Sequence, residues 1–98
     1  MFSITRSSYS RLHCRADFDA EPIKRVREAG AIPIAVTNVP ELCMWMETSN
    51  RINGRTANPY HPGRIVGGSS GGEGAAIASG ASIFGIGSDV GGRYVWLE

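Results

Sequence analysis

The stretch Gly67-Gly68-Ser69-Ser70-Gly71-Gly72-Glu73-Gly74-Ala75 limits what this chain can fold into more than any other. Glycine in such quantity raises the entropy cost of ordering the backbone, so it is used where backbone must approach something closely or turn sharply. Two adjacent hydroxyls held on that backbone point to a polar site rather than to packing. A second cluster, Gly85-Ile86-Gly87-Ser88-Asp89-Val90-Gly91-Gly92, follows at once.

The 98 residues suffice for one small domain at most. Ten basic and nine acidic side chains give a net charge of +1, and no basic run or aromatic interleaving suggests a nucleic-acid surface. No window is apolar for the roughly 18 residues that a membrane-spanning helix requires. Two cysteines, Cys14 and Cys43, do not make a disulfide framework and favour a reducing, intracellular setting over secretion. Residues 1–16 are rich in Arg and Ser and read as disordered or as an alternative N-terminus; a transit peptide is the less economical reading.

Helical spacing of Ile23, Val26 and Ala29 predicts a helix over 17–29, with Asp19 as N-cap, Pro22 in the first turn and Gly30 just past the end. The near-continuous apolar run 31–37 then predicts a strand buried on both faces, and 82–87 predicts a second. A short helix is expected over 39–46, with Asn38 as its N-cap, and another over 70–79. The turn signals Asn53-Gly54, Asn58-Pro59 and His61-Pro62-Gly63 mark 48–66 as a long loop of the kind that lines sites.

Three chemistries compete for the glycine–serine clusters. The string 67–71 matches G-x-S-x-G, but a nucleophile elbow needs a strand before it and His and Asp partners after it, and neither is evident. A phosphate cradle would use the glycines at a helix start, yet the Lys-Ser/Thr pair is missing and Glu73 would repel the anion. In the third, the serine hydroxyls carry protons for a nucleophile elsewhere in the site.

The string GGSSGGEGAAIASGASIFGIGSDVGG closely resembles the amidase signature family, the serine amidases that include fatty acid amide hydrolases. The upstream segment REAGAIPIAVTNVPELCMWMETSN is similar to the family's helix–strand–loop, and leans toward its animal fatty acid amide hydrolase branch. The resemblance covers about residues 17–92 and implies an α/β fold, here a fragment of a mixed β-sheet covered by helices. Residues 93–98 fall outside it as an unrelated tail.

The resemblance further implies a Ser–cis-Ser–Lys triad in which lysine is the base, the middle serine relays the proton and the last serine attacks the amide carbonyl. The relay falls on Ser69, with Ser70 beside it; Ser88 and Asp89 would support the site, although plain turn chemistry explains them equally well. Backbone N–H groups of Val90, Gly91 and Gly92 would contribute the oxyanion hole. The substrate would be a small-molecule amide, and no metal or cofactor is implied.

Two triad members are not evident. The nucleophile should follow Gly91-Gly92, where this chain has Arg93, a group that stays protonated. The only lysine, Lys24, falls on the polar side of the first predicted helix. The abrupt departure after Gly92 reads as truncation at an unspliced intron. The leading expectation is thus a truncated, inactive amidase-signature chain. A non-enzymatic remnant that binds a ligand or protein partner is the alternative, and a hydrolase using His61 as its base is a third.

Overall fold

A computed structural model describes residues 8–89. The ordered elements are two α-helices, α1 (Glu21–Glu28) and α2 (Gly71–Ala78), and one antiparallel pair, β1 (Ser49–Asn50) and β2 (Gly54–Arg55). Short 3-10 turns occupy Tyr9–Arg11 and Glu41–Cys43. This is a small α/β arrangement, with the pair in register Ser49 to Arg55 and Asn50 to Gly54.

Helix α1 is shorter than the spacing predicts. Its N-cap is Ala20, with no side-chain cap bond, because Asp19 pairs instead with the guanidinium of Arg27. Pro22 lies in the first turn, as expected, and Gly30 follows the end with its N–H on the Arg27 carbonyl. No residue of α1 is buried.

The two predicted strands are not strands here. Residues 31–37 and 82–87 run without ladder bonds and flank one open cavity of about 700 Å³. Ile32, Ile34, Val36, Phe84 and Ile86 line it and all are exposed, Ile32 at 84%. The physical reason is the lack of a neighbour: an apolar run becomes a strand only when another backbone takes its N–H and C=O groups. Among the described residues no Ala, Val, Ile, Leu, Met, Phe, Tyr, Trp or Cys is buried; the largest fully buried side chains are those of Thr48 and Pro40.

The predicted helix over 39–46 is a single 3-10 turn. Leu42 and Cys43 have φ of 55° and 60°, in the left-handed region that continuous helix excludes. The predicted loop 48–66 contains the β1–β2 hairpin, nucleated at Asn53-Gly54. The Asn50 side chain accepts from the N–H groups of Ile52 and Asn53 and so closes the turn. Of residues 1–16, for which composition predicts disorder, 8–16 are described; there the Tyr9 hydroxyl donates to the Arg51 carbonyl at 3.0 Å.

Candidate functional site

The first turn of α2 sets the position of the serine pair. A helix start leaves four N–H groups without intrahelical partners. Here Gly71 N–H donates to Thr48 Oγ1 at 3.1 Å and Gly72 N–H to the Asn38 carbonyl at 3.2 Å. The next two, from Glu73 and Gly74, go to the carbonyl of Ser70, which is the N-cap. The Ser70 hydroxyl makes no cap bond of its own. It accepts instead from the backbone N–H of Ser88 at 3.1 Å. That bond joins the two glycine clusters.

Ser69 sits at the centre of this turn, 6% exposed, and its peptide bond to Gly68 is cis. The backbone on either side is packed against other backbone and a buried hydroxyl. A Cβ on Gly68 would lie 2.4 Å from the Trp45 carbonyl oxygen, and one on Gly71 would lie 2.2 Å from Thr48 Oγ1. Such separations admit no side chain at either position, which is the close approach that the glycines imply.

An amide network holds the elements that touch the turn. Asn50 Nδ2 donates to Asn38 Oδ1 at 2.6 Å and to the Val39 carbonyl at 2.7 Å. Asn38 Nδ2 in turn donates to the Gly54 carbonyl at 3.2 Å and to Thr56 Oγ1 at 3.0 Å. A second contact crosses α2, where Thr37 Oγ1 donates to Glu73 Oε2 at 2.6 Å. Glu73 and Ser70 both line the apolar cavity.

Of the residues singled out from sequence, Ser69, Ser70 and Ser88 come together. Ser88 does so through its backbone, and Asp89 is exposed and next to it in sequence. Val90, Gly91, Gly92 and Arg93 lie outside the described residues. Lys24 is exposed on α1, 4.0 Å from Glu28 one turn along. His61 is exposed in its own turn, where Nδ1 accepts from the Gly63 N–H at 3.1 Å. Sequence reasoning missed Thr48, Asn38, Asn50 and Glu73 as organisers of the site. The signal for Asn38 and Asn50 lay in side chains able to donate and accept at once in a turn-rich stretch; nothing in the pattern marked Thr48.

A model of the family described as Amidase matches residues 1–93. Fatty-acid amide hydrolase 2-B of Danio rerio is 59% identical over 83 residues, which cover 85% of this chain and 16% of that protein. Human fatty-acid amide hydrolase 2 is 54% identical over 77 residues, 79% of this chain and 14% of its own length. Fatty acid amide hydrolase 1 of Caenorhabditis elegans is 42% identical over 91 residues, 93% of this chain and 16% of that protein. The chain thus spans about one sixth of the length of the relatives it matches.

Proposed function

Because the chain belongs to the amidase family and is similar to fatty-acid amide hydrolases, we propose that it is the segment of an amide hydrolase that carries the proton-relay serine. The observation that supports this best is the buried Ser69, held between backbone contacts at Gly68 and Gly71, with Ser70 tied to the second glycine cluster. In this reading Ser69 passes a proton between a lysine base and an attacking serine. A serine hydroxyl is a weak nucleophile until a base takes its proton. Ser70 fixes the approach of the 85–92 cluster. The N–H groups of Val90, Gly91 and Gly92 then stabilise the negative oxygen that forms when the carbonyl is attacked. The substrate is a small carboxamide, a fatty acid amide by analogy with the names of the relatives. The surrounding fold in the whole protein is a mixed sheet covered by helices, in which 31–37 and 82–87 are strands.

The 98-residue polypeptide does not by itself hydrolyse amides. Its one lysine, Lys24, pairs along α1 rather than with the serines, and Arg93 stands where the nucleophile is required. A fluorophosphonate probe tests this directly: neither the chain nor its Arg93→Ser variant becomes labelled, because the base is still missing and triad members act as a unit. Stoichiometric labelling of Ser69 or Ser70, lost on substitution by Ala, would overturn the reading.

A further inference from the structure

The Thr48 side chain is fully buried, at 0% relative exposure. Its hydroxyl touches both ends of the turn that holds the serine pair. Thr48 Oγ1 lies 2.8 Å from the Gly67 carbonyl and 3.1 Å from the Gly71 nitrogen. An amide N–H only donates, so at Gly71 the hydroxyl accepts, and its proton is directed to the Gly67 carbonyl. One oxygen therefore closes the span 67–71 in a defined sense. The Thr48 backbone is fixed separately, since its carbonyl accepts from the Thr56 N–H at 2.9 Å. The clamp is thus anchored to the hairpin.

We propose that Thr48 is a positioning residue for the hydroxyls of Ser69 and Ser70. This rests on the reading that those serines carry the chemistry. A relay hydroxyl has to keep two partners within hydrogen-bond reach, roughly 2.6–3.2 Å, and a small displacement breaks the relay. A serine pair flanked on both sides by glycines has little intrinsic stiffness. Thr48 supplies it from outside the turn: its β-branch restricts χ1, and its hydroxyl satisfies a donor and an acceptor that would otherwise be orphaned. The absent Cβ of Gly71 is the space that the hydroxyl occupies. The hydrogen bonds of the Thr48 hydroxyl are to the backbone at 67 and 71, and it acts through them.

The test compares the 98-residue chain with Thr48→Val, which keeps the shape, and Thr48→Ser, which keeps the hydroxyl. Amide exchange and chemical shifts are read at three backbone groups. In Thr48→Val the Gly71 amide exchanges roughly tenfold faster or more, the loss expected for one buried hydrogen bond. The Ser88 amide shifts because its acceptor, Ser70 Oγ, is displaced. The Thr56 amide stays protected, because its bond is to the Thr48 backbone. Thr48→Ser restores Gly71 and Ser88. If Thr48→Val unfolds the chain and Thr56 is lost too, Thr48→Ser decides, with recovery of all three signals expected. An unchanged Gly71 in Thr48→Val, a Ser88 amide that does not move while Gly71 does, or failure of Thr48→Ser to recover them would overturn the proposal. None of these readouts needs turnover, so fluorophosphonate labelling of Ser69 would sink the inactivity reading and leave this one standing.

Discussion

The turn around Ser69 and the apolar runs beside it have opposite character. At the turn, backbone and side-chain groups from Asn38, Thr48, Asn50, Thr56, Gly71 and Gly72 are paired with one another. Along 31–37 and 82–87 the large apolar side chains are exposed, and the backbone makes no ladder. The difference shows which parts of a site are organised locally. Hydrogen bonds that reach as far as 34 positions along the sequence, from Gly72 to Asn38, shape the turn within this chain. The apolar runs depend on neighbours for their shape, because burial and pairing are both properties of a partner surface.

The strongest way to break that contrast is Gly71→Ala. The new methyl would meet a buried hydroxyl 2.2 Å away, and overpacking of this kind costs about 1–3 kcal/mol. Amide protection at Gly72 and Thr56 should fall. Gly74→Ala is the control: nothing lies within 4 Å of the position its new methyl would take, and a helix interior gains about 0.8–1 kcal/mol from that exchange. If both variants behave alike, the turn is not packed as described.

Asn50→Ala comes next. It removes donors to Asn38 Oδ1 and the Val39 carbonyl and the acceptor of the hairpin turn. A loss of about 1–3 kcal/mol is expected for partners left partly unsatisfied, read as faster exchange at Ile52 and Asn53. The apolar side of the contrast is sharpened by Ile34→Asp combined with Ile83→Asp, at sites 67% and 97% exposed. Unpaired apolar edges promote association, so sedimentation should show concentration-dependent assembly of the parent and less of it in the double variant. The Gly71 and Thr56 amides should not respond. The smallest effect is Glu21→Gln, which removes an exposed pair with Arg25 on α1; roughly 0.3–0.5 kcal/mol of helix stability is at stake, measurable as a small loss of helical ellipticity.

The serine turn was legible in the sequence because glycine spacing reports close backbone approach wherever the partner lies. The helix over 70–79 was recoverable for the same reason, with Gly71–Ala78 observed. Periodicity placed α1 but overran its start, since Asp19 had two possible partners and took Arg27. Apolar runs signalled strands at 31–37 and 82–87, but a run states only that burial is favourable and not that a neighbour is present. The left-handed pair Leu42 and Cys43 carried no residue signal, because neither type favours positive φ. Thr48 was invisible for a different reason: its importance comes from the two backbone groups it reaches, 19 and 23 positions away.

The contact of Gly68 with the Trp45 carbonyl is backbone against backbone. Elsewhere in proteins a crowded site can be relieved by trimming a neighbouring side chain, so one harmful change can be rescued by a second. Here the obstruction is main chain, and no substitution at Trp45 removes its carbonyl. In a library of all single variants of the 98-residue chain, the intolerant positions would include Gly68, Gly71 and Thr48, while its exposed apolar residues accept change more readily. Second-site rescue would be available to Thr48 partners and closed to Gly68, so the surface on which this segment can vary is divided by main-chain contact rather than by hydrophobic burial.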